Sequence, residues 1–245
     1  MNYRIYRLSL KEVLLFSLEY LIMDAAVTFL FFDELKVFFL LLPGFAVFLK
    51  KRRGELIISR KKELGRQFTD MILAVSTALG AGYSVENSFR EAFRDMAGLY
   101  GKDSLICMEL SGFFRKMEAG RSLEEVLTGF AERSGIEEIM DFTEIFSIAK
   151  RNGGDFAGMI RRTVSVMREK DETEREIEVL LSGKRFEQRI MGVIPLFIIL
   201  YLRLSTGEFL AVLYHNPAGI TVMLICLVIY LLSFGLAERI VAIEV

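Results

Sequence analysis

The residues able to do chemistry in this 245-residue sequence are few, and they stand apart from one another. No phosphate loop of the form G-x-x-x-x-G-K-[ST] occurs, so the chain offers no recognisable means of hydrolysing ATP by itself. The nucleophile elbow G-x-S-x-G, the zinc motif H-E-x-x-H and the redox motif C-x-x-C are equally absent. The sole histidine, His215, falls in a connection read as an outer loop, which argues against a histidine-based metal or acid–base centre. Cys107 and Cys226 are far apart, and Cys226 sits in an apolar run. They read as buried or lipid-facing thiols, with neither a disulfide framework nor a thiol–metal site implied. Carboxylates are plentiful at Glu124, Glu125, Glu137, Glu138, Asp141 and Glu144, but their helical spacing describes a solvated face. The expectation is a protein with no catalytic residue, no cofactor and no metal.

Charge carries more meaning where it interrupts apolar sequence. Glu19 and Asp24 lie within residues 13–32, and Arg203 follows the apolar stretch Ile190 to Leu202. Counted from Glu12 at 1.5 Å per residue, Asp24 lies about 18 Å into a bilayer, and Arg203 lies about 20 Å beyond Ile190. Opposite charges at matching depth, each costly alone, predict an intramembrane Asp24–Arg203 ion pair.

The elements that must position these groups follow from composition. The chain is 53% hydrophobic and has no Trp, yet 26% of its residues are charged. Both hold if apolar residues gather at the ends and charge lies between. A net charge of −1 disfavours a general nucleic-acid or acidic-substrate binder. Residues 13–32 are long enough to cross a bilayer as a helix and lack the cleavage site of a signal peptide. After the turn at Asp33 to Lys36, Val37 to Leu49 returns as the second leg of a tight hairpin, carrying Pro43-Gly44. Ile190 to Leu202 and Ala218 to Ala237 form a second hairpin. Arg4, Arg7 and Lys11 precede the first span, Lys50 to Arg53 follow the return leg, and Lys184, Arg185 and Arg189 precede the third. By the positive-inside rule all these flanks, and both termini, are cytoplasmic, which gives four crossings. The Lys50 to Arg53 run reads as a snorkelling membrane flank rather than a nucleic-acid site.

Between the hairpins the sequence is polar and helically periodic. Phe68, Ile72, Val75 and Leu79 step by four, three and four, and Gly80-Ala81-Gly82 ends that helix. Ser84 caps the next, whose stripe is Val85, Phe89, Ala92 and Met96. Ile106, Leu110, Phe113 and Met117 form a third face. Ser122 to Glu125 reads as a capping box before Leu123, Leu127 and Phe130. Gly135 ends that helix. Ile139, Phe142, Phe146 and Ala149 form another stripe, broken at Asn152-Gly153-Gly154. Asp155 caps a last helix with Phe156, Ile160, Val164 and Met167 inward. Strand alternation is missing, so the region is an all-α antiparallel bundle. Glycine–cap pairs at Gly82, Gly120 and Gly154 recur at roughly 38 and 34 residues, an echo that packed helical hairpins explain. The resulting division is 1–50 for an N-terminal transmembrane hairpin, 51–189 for the cytoplasmic bundle and 190–245 for a C-terminal hairpin. Arg168 to Glu178 is almost devoid of apolar residues. Arg168–Glu172 and Asp171–Arg175 at i,i+4 help such a helix stand in water, and its polar faces, with Glu169, Lys170, Glu174 and Glu178, could dock a partner.

This order of parts resembles the type II secretion F-domain family. The matching words are Gln67-Phe68 through Ala81-Gly82-Tyr83-Ser84, then Gly120-Arg121-Ser122-Leu123-Glu124-Glu125-Val126-Leu127. A third runs from Asp141-Phe142 through Lys150-Arg151-Asn152-Gly153-Gly154-Asp155-Phe156. The spacing into Arg168-Glu169 and on to Pro195 also fits, so the likeness covers roughly residues 60–200. The last two motifs resemble the tight-adherence (Tad) pilus subgroup, whose members carry a single F domain. The resemblance implies a non-enzymatic inner-membrane platform. Such a protein contacts a cytosolic assembly ATPase, passes its motion to pilin subunits in the lipid bilayer, and works as a homo-oligomer or with a second homologous platform protein. The surface at Arg168 to Glu178 is then the expected ATPase contact. Two other classes stay open. A transporter or channel would use Glu19, Asp24 and Arg203 as its only intramembrane polar groups. A membrane sensor with a helical signalling bundle would need long heptads, which these short glycine-punctuated helices do not supply.

Overall fold

The computed structural model describes residues 3, 6, 8–32, 34–152, 156–205, 213, 214 and 216–241. Arg4, Arg7, Asp33, Gly153, Gly154, Asp155 and His215, all named above, lie outside the described residues. Among those described, regular structure is entirely helical. The helices are α1 (Leu10–Phe31), α2 (Leu35–Leu41), α3 (Gly44–Gly80), α4 (Val85–Tyr100), α5 (Leu105–Glu118), α6 (Leu123–Ser134), α7 (Glu137–Asn152), α8 (Phe156–Ser205) and α9 (Pro217–Val241). They sort into two compact units, one of Met1–Arg7 and Arg53–Thr173, the other of Leu8–Arg52 and Glu174–Val245.

The first unit is built on the periodic apolar stripes. Phe68, Phe89, Phe113, Phe130, Phe142 and Phe146 are fully buried. Several of them meet edge to face, Phe68 against Phe142 and Phe113 against Phe130 at 5.4 Å between ring centres, the arrangement that ring quadrupoles favour. Local chemistry sets where the helices begin and end. The Ser84 hydroxyl accepts the Asn87 amide, and the Ser122 hydroxyl accepts the Glu125 amide at 3.2 Å. Gly82, Gly120 and Gly135 take φ of +90°, +85° and +58°, a backbone region that side chains with a Cβ rarely enter. Only half of the expected capping box at Ser122 forms, because the Glu125 carboxylate turns to Arg121 at 3.4 Å. A reciprocal arm of that kind appears at the start of α1, where the Ser9 amide donates to Glu12 at 2.7 Å.

The second unit inverts this pattern. Leu14, Leu15, Leu224, Ile229 and Leu232 are all about half or more exposed. A small buried set, Leu30, Phe31, Phe32, Tyr214, Met223 and Leu227, holds it together. Among the described residues, three helices are long and apolar enough to cross a membrane: α1, the last part of α8, and Ala218–Ile240 within α9. The return leg expected over residues 37–49 is not one helix. α2 stops at Leu41 after seven residues, about 10 Å of rise, and α3 starts beyond Pro43. Proline lacks the amide that would continue the α2 ladder, and the chain passes through a tight turn with Phe45 N–H donating to Leu42 at 3.0 Å. α3 then continues through Lys50 to Arg53 without a break, so the basic flank lies inside a 37-residue helix.

Candidate functional site

No described group of three or more histidine, cysteine or carboxylate residues could hold a metal ion. The groups with functional potential are instead the polar surface of α8, the charges within the long apolar helices, and a clasp made by Tyr3.

On α8 the buried stripe Ile160, Val164 and Met167 ends where the charged stretch begins. Beyond it Arg168, Glu169, Lys170, Glu172, Arg175 and Glu178 are exposed, while Asp171 and Glu174 are half-buried. Alternating cations and anions at helical spacing keep this surface in water. Lys170 reaches across to Glu138 of α7 at 2.6 Å. Half-burial raises the Glu138 carboxyl, but the hydrogen bond and positive charge of Lys170 outweigh it and leave the carboxyl below its usual range.

Asp24 and Arg203, the charges expected to pair, do not meet. The Arg203 guanidinium donates to the Phe29 carbonyl and lies 3.8 Å from the centre of the Phe29 ring, with the Tyr214 ring 5.3 Å away. Asp24 is 3% exposed, and neither carboxylate oxygen accepts a hydrogen bond. The predicted Asp24–Arg203 pair is therefore not made. Phe29 stands five residues past Asp24, about 7.5 Å further along α1, so equal residue counts from two assumed membrane edges misplaced the cation by more than a turn. Glu19 pairs with Arg52, whose guanidinium also lies over the Phe16 and Phe48 rings. Lys51 pairs with Glu238 at 2.5 Å. Lys51 and Arg52 of the basic run thus have partners within their own unit. A separation of 33 residues in one case and 187 in the other left no local spacing from which to read them.

The clasp joins residues far apart in sequence. Tyr3 is 2% exposed, its hydroxyl donates to Glu109 at 3.0 Å, and Arg133 holds the other Glu109 oxygen at 3.1 Å. The Tyr3 amide donates to the Arg133 carbonyl, and Arg60 lies over both the Tyr3 and Tyr6 rings. Burial, reinforced by the Glu109 charge and hydrogen bond, pushes the Tyr3 hydroxyl far above the ordinary tyrosine range. A lone tyrosine near a terminus carries no periodicity to flag it. Gln67 makes a second long-range contact of this kind. It is 2% exposed and its side-chain oxygen accepts the Ile106 amide at 3.0 Å, capping α5 from a neighbouring helix.

A cavity of about 410 Å³ lies between α8 and α9. Met191, Gly192, Pro195, Tyr230 and Phe234 line it, with Lys184 at one end, and the Tyr230 hydroxyl donates to the Gly192 carbonyl at 2.7 Å. That carbonyl lies in the turn disturbed by Pro195, where a helix normally loses hydrogen bonds.

No protein-family profile matches this chain, and no solved structure matches it. A stretch of 91 residues is 31% identical to a subunit of the ATP-dependent helicase/deoxyribonuclease of Clostridium tetani. The match covers 37% of this chain and spans 7% of that protein's length.

Proposed function

We propose that this chain is an inner-membrane platform protein of a type II secretion or Tad-type pilus assembly machine. In that role it is a non-enzymatic scaffold that couples a separate cytosolic ATPase to pilin subunits in the bilayer, with both termini and the helical bundle in the cytoplasm. The observation that carries this reading is α8. It is one helix of 50 residues, whose first turns bury Ile160, Val164 and Met167 and whose last turns are apolar enough to span a membrane. A single helix of that kind gives a displacement in water a covalent route into lipid. The charged surface at Arg168 to Glu178 supplies a contact for a partner, and salt-sensitive docking is expected of it. The full chain, purified in detergent, should bind a secretion-type ATPase from the same cell, and the double reversal Arg168→Glu with Arg175→Glu should weaken binding about tenfold or more. Loss of pili on deletion of the chain completes the test. A cell that assembles pili normally without it would overturn the reading.

A further inference from the structure

The least satisfied polar groups in the described residues are two neighbours on α1, and they do not depend on the platform reading. Asp24 and Thr28 are 3% and 7% exposed, and Asp24 Oδ1, Asp24 Oδ2 and Thr28 Oγ1 all lack a hydrogen-bond partner. They are four residues apart on a helix apolar and long enough to cross a bilayer, so their side chains lie on one face a turn apart. An ionised carboxylate in hydrocarbon without a counter-charge is among the costliest arrangements a protein can hold. The described cations of this unit are committed elsewhere or face outward. Arg203, from α8, is bound to the Phe29 carbonyl and stacked on its ring. Arg52, from α3, is bound to Glu19. Lys36 of α2 is exposed. The other titratable groups nearby on α1, α8 and α9 are tyrosines already committed as donors, Tyr20 to the Leu41 carbonyl and Tyr230 to the Gly192 carbonyl, while Cys226 is exposed. Tyr214 likewise donates to the Leu30 carbonyl.

One proton removes the uncompensated charge and lets two of the three orphaned atoms pair, one Asp24 oxygen with Thr28 Oγ1. A carboxylic acid is a donor as well as an acceptor, and a threonine hydroxyl is both. We propose that Asp24 is a proton-binding site, a neutral carboxylic acid within the membrane whose O–H donates to Thr28 Oγ1. The bound species is a proton and nothing larger. Arg203, held by the Phe29 carbonyl and ring, supplies no counter-charge to Asp24.

The test uses the full chain reconstituted in lipid vesicles at neutral pH. Infrared absorption should show a protonated-carboxyl stretch that Asp24→Asn abolishes, while Asp24→Asn itself folds as the parent does, since an amide replaces a neutral acid in shape and polarity. Asp24→Glu should retain the band at a shifted position. Absence of any Asp24-dependent band would overturn the proposal. So would an Asp24→Asn protein that fails to fold alongside a folded Asp24→Glu protein lacking the band, because that pattern requires a carboxylate.

Discussion

The two units use the same apolar residues in opposite ways. Around Phe68 and Phe142 the large side chains are sealed inside, and the charged residues of α4 to α8 cover them. Along α1 and α9 the large side chains point outward, with Leu14 at 68% and Leu232 at 62% exposure, while the buried positions include Asp24 and Thr28. The first arrangement is what burial from water produces. The second would be ruinous in water and is natural in lipid, where packing and polar contacts rather than apolar burial hold helices together. The surroundings differ, and the residue types do not.

That contrast can be sharpened by substitution. The largest effect is expected from Phe142→Ala, which opens a void beside Phe68 and Phe146 and should cost about 3–5 kcal/mol in the denaturant or thermal unfolding of the bundle. Leu232→Ala removes a comparable apolar group from the outside of α9 and should shift unfolding by less than about 0.5 kcal/mol. Equal costs at the two sites would break the comparison.

Tyr3→Phe comes next, at about 1–2 kcal/mol, because it removes a buried donor from Glu109. Its pH signature has a definite sign. The folded protein holds the Tyr3 proton more tightly than the unfolded chain does, so the contribution is complete below the ordinary tyrosine value of about 10 and is lost as pH rises above it. Alkaline unfolding should therefore come at higher pH in Tyr3→Phe once its lower baseline is allowed for. The smallest effect, below about 1 kcal/mol, is expected from Glu138→Gln, which breaks a partly exposed pair with Lys170. Here the folded carboxyl sits below its usual range, so the contribution is present above about pH 4.3 and fades as pH falls through the folded value. A melt series from pH 7 to 3 reads this as a convergence of parent and variant.

The bundle was legible in the sequence because its signals are local. Serines at Ser84 and Ser122, glycines at Gly82, Gly120 and Gly135, and stripes at i, i+3 and i+4 lie within one or two turns of what they control. The membrane unit was legible only as apolar length. Hydropathy does not say which way Asp24 faces around its helix, and a run broken by Pro43 resembles a span until the missing amide is counted. The continuity of α3 was hidden for a different reason. The change from apolar to basic at Lys50 looks like a boundary, yet lysine and arginine are good helix formers, so composition changes while the helix does not. Tyr3, Gln67 and the pairs of Lys51 and Arg52 depend on chain topology, which no short window of sequence contains.

The claim that outward apolar groups of the two units face different media is tested most directly by cysteine labelling in membranes, using a chain freed of Cys107 and Cys226. Val166→Cys replaces a residue 66% exposed in the bundle, and Leu232→Cys one 62% exposed on α9. A charged, membrane-impermeant maleimide applied to inside-out vesicles should modify Val166→Cys readily and leave Leu232→Cys unmodified until detergent is added. Modification of both at similar rates in intact vesicles would contradict the account.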